Sequence, residues 1–157
     1  MTRNRLILLA ASGSAALLLA ALAFQYIGGM APCPLCIWQR WPHLAAILAA
    51  PLALLAPGAI GPLAGSAAAA TSGGIGIYHT GVERSWWEGP QACAAGGDIG
   101  RLSTQELMEQ IMAAPVVRCD EVPWEMLGLS MASWNAAASF ALAGLWLWTL
   151  AVPRGRQ

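Results

Sequence analysis

Three long stretches without ionised side chains constrain the fold of this 157-residue chain more than any motif does. Residues 6–27 and 131–152 contain no charge, and residues 41–82 contain two histidines but no Asp, Glu, Lys or Arg. A helix needs about 20 apolar residues to cross the hydrocarbon core of a bilayer. The first and last stretches supply one span each, and the middle one supplies two, divided at the turn 57–62. We therefore predict spans at about 6–27, 42–56, 63–79 and 131–152.

The composition agrees with a membrane protein. Hydrophobic residues make up 57% of the chain and charged residues 10%, against about a quarter charged in soluble domains. The net charge is zero, so nothing indicates a nucleic-acid partner. Arg3 and Arg5 precede an apolar run, as in a signal peptide, but this run is longer than the roughly 7–15 apolar residues of such peptides. We expect one integral membrane domain over residues 1–157, with the first span retained.

The distribution of charge predicts the orientation. Arginines flank the first span and follow the last one, at Arg3, Arg5, Arg154 and Arg156. All eight acidic residues lie between Glu83 and Glu125. The positive-inside rule then places both termini in the cytoplasm and sends segments 28–41 and 80–130 to the other side. All four cysteines lie in these two outer segments, where an oxidising compartment would let disulfides persist.

Two further patterns concern helix packing. In the third span, small residues recur at every fourth position, at Gly65, Ala69 and Gly73 and again at Ser66, Ala70 and Gly74. Such spacing predicts close helix contact. In the outer loop, residues 103–106 fit a capping box and precede an apolar face at Leu107, Met108, Ile111 and Met112. This short amphipathic helix would lie on the membrane or cover the loop's own core. The predicted fold class is thus all-α, a four-span bundle with a long, partly irregular outer loop.

Cys33-Pro34-Leu35-Cys36 is the sharpest local motif. A Cys-x-x-Cys pair suits a redox disulfide, half of a zinc site or haem attachment. Haem attachment needs a histidine where Ile37 stands. Zinc would need Cys93 and Cys119 as further ligands, and these lack the short spacing usual in structural zinc sites. No βαβ unit supports a thioredoxin domain. Redox chemistry is favoured, while a purely structural disulfide and a metal site remain open.

The neighbours of this motif strengthen the redox interpretation. Cys33, Cys36, Arg40 and His43 share one face if the helix continues through Pro42. The helix N-terminus and the Arg40 guanidinium would both favour a thiolate at Cys36. His79 ends the third span at the same outer level. An apolar cleft rimmed by Arg40 and His79 would suit a lipid-soluble molecule with a polar ring.

The motifs together resemble the disulfide-bond-formation protein B (DsbB) family of thiol:quinone oxidoreductases. The matching pieces are Cys33-Pro-Leu-Cys-Ile-Trp-Gln-Arg40, Tyr78-His79-Thr80, Cys93, Arg118-Cys119-Asp120, Trp124, Leu127-Gly128-Leu129-Ser130 and Trp134. The resemblance covers nearly the whole chain, including the number of spans and the order of the cysteines. It implies a bacterial inner-membrane protein with its cysteines in the periplasm.

The resemblance also implies a role for each cysteine. Cys33 and Cys36 would give electrons to a membrane quinone, ubiquinone or menaquinone, with Cys36 nearest the ring. Cys93–Cys119 would be a second disulfide, attacked at Cys93 by a DsbA-like periplasmic thioredoxin-fold partner. Cys119 would then exchange with Cys33.

The remaining site residues surround the implied quinone. Arg40 would hold it, with His79 close by as a candidate proton donor. Two positions depart from the family pattern: Gln39 replaces a common glutamate, and Glu83 stands where a neutral residue is expected near the quinone. A vitamin-K-epoxide-reductase-like protein is disfavoured because its Cys-x-x-Cys lies on a later helix. A non-enzymatic membrane scaffold with metal-binding or structural cysteines is the competing class.

Overall fold

The computed structural model describes residues 1–56, 58–90 and 118–153, together with positions 103, 105 and 108. In these residues the chain is mostly helical, which confirms the predicted class there. The elements in chain order are α1 (Arg3–Tyr26), α2 (Pro34–Leu55), α3 (Ile60–Glu83), β1 (Glu125–Met126), β2 (Leu129–Ser130) and α4 (Met131–Ala151). Cys93, Arg154, Arg156 and most of the predicted loop helix lie outside the described residues.

The hydropathy of the helices is uneven. Among the described residues only α1 is long and apolar enough to cross a membrane by length and composition, with a mean hydropathy of 2.3. Helix α2 carries Arg40 and His43, α4 carries Asn135, and α3 is rich in glycine and serine. These residues lower the average of each segment. The prediction of four spans therefore stays a prediction.

The bundle is apolar on the outside and partly polar within. Large apolar side chains are exposed on every helix, including Leu19 on α1, Leu48 on α2, Ile77 on α3 and Trp148 on α4. The interior buries hydroxyl and imidazole side chains at Ser14, His43, Ser66, Ser72, His79, Ser139 and Thr149. Soluble domains usually show the opposite distribution. An apolar surface of this extent marks contact with lipid or with another protein.

Helix α3 packs against both α2 and α4, and α1 packs against the other side of α2 and α4. Small residues make these contacts possible. A Cβ added at Gly65 would overlap the buried indole of Trp146, and one at Gly61 would lie 2.5 Å from the Ala53 backbone. Ser66 Oγ also donates a hydrogen bond to the Ala143 carbonyl, 3.2 Å away. The predicted packing role of the small-residue repeat is confirmed at Gly65 and Ser66, whereas a Cβ at Gly74 would meet nothing within 4 Å.

Helix α2 begins earlier than the predicted span. It starts at Pro34 and continues through Pro42 and Pro51 to Leu55. Proline is tolerated in a first helical turn because its missing N–H would have no helical partner there. Cys33 precedes it as the N-cap, with an extended backbone and its sulfur accepting a hydrogen bond from the Cys36 N–H. The Cys-x-x-Cys motif therefore forms the first turn of α2.

A short hairpin leads from the outer segment into α4. Strands β1 and β2 are antiparallel, and the two residues between them, Leu127 and Gly128, both have positive φ, 56° and 76°. Positive φ at both turn positions matches the twist of a tight hairpin. Ser130 then caps α4 by accepting from the Ser133 N–H. The hairpin was not predicted, because leucine rarely adopts this backbone conformation.

Candidate functional site

Cys33 and Cys36 lie at the end of the bundle where α1 and α3 finish and where α2 and α4 begin. Both are free thiols, with their sulfurs 2.9 Å apart and Cys33 donating the hydrogen bond. The Cys36 N–H donates in turn to Cys33 Sγ over 3.2 Å. Cys33 is buried, with 4% of its surface exposed, whereas Cys36 is half-buried. The structure thus presents the motif as a reduced dithiol with Cys36 the more accessible sulfur.

The two thiols have different proton affinities. The hydrogen bond from Cys33 lowers the pKa of Cys36 to about 7, helped by the backbone at Cys33 and by the positive charge of Arg40; burial and the Glu83 carboxylate act against this. The same hydrogen bond, together with burial, raises the pKa of Cys33. Cys36 is therefore the thiolate of the pair, and Cys33 holds the shared proton. This agrees with the expectation that Cys36 is the thiolate.

His79 projects from the last turns of α3 toward Cys33. Its Nε2 lies 3.5 Å from Cys33 Sγ and 3.8 Å from Glu83 Oε1. The ring is buried and is also hydrogen-bonded to the backbone of Cys119. His79 therefore connects the first turn of α2 with Cys119 in the outer segment 80–130.

Cys119 belongs to the same buried cluster as the motif. Its side chain is 1% exposed and packs in one cluster with Cys33, Leu35 and Val82, against which Cys36 also packs. Cys119 is disulfide-bonded. Cys93, its predicted partner, lies outside the described residues, so that pairing stays a prediction. The structure does bring Cys119, from the outer segment 80–130, next to the Cys-x-x-Cys motif.

Arg40 and His79 face different neighbours of α2. The Arg40 guanidinium donates to Gln25 Oε1 over 2.5 Å and to the Ala21 carbonyl over 3.5 Å, both on α1. Its Nε is buried and has no hydrogen-bond partner in the described structure. His43 points instead to Asn135 on α4. Arg40 and His43, predicted to share one face of α2, thus contact α1 and α4 respectively. Quinone contact by Arg40 and His79 stays a prediction.

Glu83 lies behind His79, toward the hairpin. Its carboxylate accepts a hydrogen bond from Ser130 and its side chain is 4% exposed. Burial raises its pKa, while Ser130 and the charge of Arg84 oppose that rise. Glu83, Arg84 and Ser130 line a cavity of about 280 Å³ with residues of the hairpin region. The structure therefore joins Glu83 to the outer segment, and its predicted place in a quinone pocket stays untested.

A buried polar network lies behind His79, and the sequence pattern did not identify it as part of the site. Gln39 Nε2 lies 3.0 Å from His79 Nδ1, and Gln39 Oε1 accepts from Asn135 Nδ2 over 2.7 Å. Asn135 connects in turn to His43 and Ser72. In the sequence, Gln39 stands out only as a departure from a family pattern. Asn135 carried a signal of its own, since an amide within an uncharged 22-residue stretch is costly in lipid and marks a partnered position.

Comparison with known proteins gives a consistent result. The sequence model of the family described as "Disulfide bond formation protein DsbB" matches residues 3–149. Disulfide bond formation protein B of Polaromonas naphthalenivorans (strain CJ2) is 32% identical over 162 residues, covering 98% of this chain and 94% of that protein. The protein of the same name from Verminephrobacter eiseniae (strain EF01-2) is 33% identical over 157 residues, covering 95% and 86%. No solved structure matches the chain.

The family match and the site agree in their chemistry. The match extends over almost all of the described residues and includes the Cys-x-x-Cys motif, His79 and Cys119. The dithiol at the start of α2 and the disulfide-bonded Cys119 packed beside it are the groups that disulfide formation requires. The chain therefore belongs to the DsbB family of disulfide bond formation proteins.

Proposed function

We propose that this protein is a thiol:quinone oxidoreductase that reoxidises a DsbA-like periplasmic dithiol protein and passes the electrons to ubiquinone or menaquinone. The observation that carries the proposal is the packing of disulfide-bonded Cys119 in one buried cluster with Cys33, whose sulfur lies 2.9 Å from Cys36. Thiol–disulfide exchange needs a thiolate, a disulfide sulfur and a good leaving thiolate within reach of one another. This cluster supports a route from the proposed Cys93–Cys119 pair to Cys33 and Cys36.

The proposed topology is four spans with both termini in the cytoplasm. The exposed apolar side chains on all four helices support lipid contact around the bundle. The ends of α1 and α3 and the beginnings of α2 and α4 lie on one side, so Cys33, Cys36 and Cys119 share that side. Arg3 and Arg5 lie at the opposite end, which the positive-inside rule assigns to the cytoplasm.

The proposed exchange conserves one disulfide at each step. A thiolate of the partner attacks Cys93, the Cys93–Cys119 bond breaks, and its electron pair leaves on Cys119. The Cys119 thiolate then attacks Cys33 of an oxidised Cys33–Cys36 pair, and Cys36 leaves as a thiolate. A pKa of about 7 makes Cys36 a better leaving group than an ordinary thiol, whose pKa is near 8.5.

The proposed quinone site is on the α1–α2 side of the bundle. Arg40 lies one turn after Cys36 and has an unpartnered buried Nε–H in the described structure. Ile37 and Trp41 are exposed on the same helix and would cover an apolar ring. A quinone bound here would accept two electrons and two protons as the Cys33–Cys36 dithiol is oxidised to its disulfide. Arg40 would orient its carbonyl oxygen and keep Cys36 ionised.

The test is direct. Purified protein is mixed with a reduced thioredoxin-fold dithiol oxidase and a soluble ubiquinone analogue, and the loss of quinone absorbance is followed. We expect turnover that Cys36→Ser abolishes, and Arg40→Ala should impair quinone use while oxidised protein still exchanges with the partner. Failure of the wild type to oxidise the partner with quinone present would refute the proposal.

A metal-binding scaffold is the second candidate, and one observation favours it. The ligand atoms of Cys33, Cys36 and His79 lie within 4.8 Å of one another, and two thiolates with an imidazole are a common donor set for zinc. Purification without chelators followed by elemental analysis distinguishes the two functions. A stoichiometric metal that withstands dialysis, together with no quinone reduction, would favour the scaffold.

A further inference from the structure

The donor and acceptor roles in the hydrogen bonds behind His79 are fixed, because one of these bonds ends at a backbone carbonyl. Gln39 Nε2 donates to the Leu35 carbonyl over 3.1 Å, and that oxygen can only accept. Rotating the amide would bring Gln39 Oε1 against the Leu35 oxygen and lose this hydrogen bond. The amide nitrogen is therefore the atom that faces His79 Nδ1, 3.0 Å away.

The amide nitrogen of Gln39 also determines where His79 carries its proton. An amide N–H can only donate, so Nδ1 must be the acceptor, and a neutral imidazole then has its hydrogen on Nε2. Nε2 faces Cys33 Sγ at 3.5 Å, with Glu83 Oε1 at 3.8 Å. The ring is also hydrogen-bonded to the Cys119 backbone, so His79 presents one N–H donor to both Cys33 Sγ and Cys119. A metal bound to Nε2 would need the opposite tautomer, so this network disfavours the metal candidate.

Contacts from α3 and α4 hold Gln39 from the other side. Asn135 Nδ2 donates to Gln39 Oε1 over 2.7 Å, while Asn135 Oδ1 lies 2.9 Å from His43 Nε2. Ser72 Oγ donates to the Gln39 backbone carbonyl over 3.1 Å, so a second backbone acceptor anchors the network. Gln39, His43 and Ser72 are all buried. Each of these contacts of Gln39 pairs a donor with an acceptor, and a buried group held in this way resists reorientation.

We propose that Gln39, held by Asn135, is a positioning residue that fixes the Nε2–H tautomer of His79 and thereby directs a hydrogen-bond donor at Cys33. The effect is exerted when a disulfide between Cys33 and Cys119 is resolved. The partner's second thiolate first displaces Cys93 and closes the partner's own disulfide. The released Cys93 thiolate then attacks Cys119, the Cys119–Cys33 bond breaks, and its electron pair leaves on Cys33. The His79 Nε2–H stabilises that sulfur by hydrogen bonding, without transferring its proton. The kinetic part of this inference rests on the proposed function.

The tautomer itself can be measured without any partner or quinone. Protein labelled with ¹⁵N at histidine is reduced, and long-range ¹H–¹⁵N spectra assign the protonated nitrogen of His79, using His79→Gln to identify its signals. We expect hydrogen on Nε2 and an unprotonated Nδ1. A proton on Nδ1 in the wild type would overturn the proposal.

Two variants at Gln39 test its role in exchange. Gln39→Leu removes the donor, and loss of a hydrogen bond to a charged sulfur should slow resolution of the Cys33–Cys119 disulfide roughly tenfold or more. Gln39→Glu keeps a donor only while its carboxyl is protonated. Its rate should therefore exceed that of Gln39→Leu at low pH and lose this advantage as the pH rises. Because Cys33, Cys36 and Glu83 also titrate beside His79, each rate is expressed relative to the wild type at the same pH.

Thr71→Ala is the matched control, because Thr71 is exposed beside Ser72 on α3 and its hydroxyl donates to the Ala67 carbonyl, outside the network. It should leave the His79 tautomer and the exchange rate unchanged. Wild-type rates in Gln39→Leu, or a Gln39→Glu variant that never exceeds Gln39→Leu, would contradict the proposal. If the tautomer is as proposed but neither the wild type nor any variant reduces quinone, the proposed function is wrong, while the role of Gln39 in fixing the His79 tautomer stands.

Discussion

The thiol of Cys33 donates a hydrogen bond to the sulfur of Cys36 across 2.9 Å. Cys33 is also the N-cap of α2, so its own sulfur receives the Cys36 N–H. One residue therefore both caps the helix and stabilises the thiolate that follows it. The division between a buried proton-holding sulfur and a more accessible thiolate comes from this local geometry.

The first prediction concerns the reactivity of Cys36. Because the thiolate is the reactive form, the alkylation rate of Cys36 in the reduced protein should rise with a midpoint near pH 7. Arg40→Gln should move the midpoint upward by up to about one pH unit, since it removes a nearby positive charge. Iodoacetamide labelling followed by peptide mass spectrometry gives the profile. Arg5→Gln, at the other end of α1, should leave the midpoint in place.

The second prediction concerns the approach of the two cysteine pairs. In a Cys36→Ser, Cys93→Ser double variant, the remaining Cys33 and Cys119 should form a disulfide because they pack in one buried cluster. Maleimide labelling with and without reductant measures the two thiols. The reciprocal variant, Cys33→Ser with Cys119→Ser, is the comparison and should form much less disulfide. Free thiols at Cys33 and Cys119 under oxidising conditions would contradict the relay.

The third prediction concerns the packing of α3. Gly65→Ala should lower the free energy of unfolding by about 1–3 kcal/mol, because the added methyl overlaps the ring of Trp146, which is fully buried. Gly74→Ala meets nothing within 4 Å and should be neutral or slightly stabilising, since alanine favours helix over glycine by about 1 kcal/mol. Unfolding in mixed micelles compares the two. Equal effects would show that Gly65 is not a close contact.

The fourth prediction concerns the pH dependence of stability at Glu83. Burial raises the pKa of this carboxyl above its unfolded value, so the folded state binds the proton more tightly. The contribution of this proton to the free energy of unfolding is fully present below the pKa of the unfolded state, near 4.3. It is lost as the pH rises through the higher pKa of the folded state. Glu83→Gln, which cannot ionise, should therefore show a smaller fall in thermal stability over that range. Glu88→Gln at an exposed position should follow the wild type, and an unchanged slope in Glu83→Gln would exclude Glu83 as the cause.

Local sequence properties determined the helices and the position of the dithiol. Long uncharged stretches can only be accommodated as buried or lipid-facing helices, and α1 to α4 coincide with the predicted segments to within a few residues, except that α2 begins eight residues early. That difference is itself local, because Cys33 and Pro34 together make a good helix start. The small residues of α3 similarly predicted close packing before any neighbour was known.

Only the tertiary structure decided which partner each polar side chain meets. Periodicity places Gln39 and Arg40 on neighbouring faces of α2, but it cannot say that one meets His79 on α3 and the other Gln25 on α1. The contact of Gln39 with Asn135 joins residues 96 apart in the chain. Such pairs arise from the order in which helices pack, a non-local outcome, whereas helix formation and capping depend on residues within a few positions of each other.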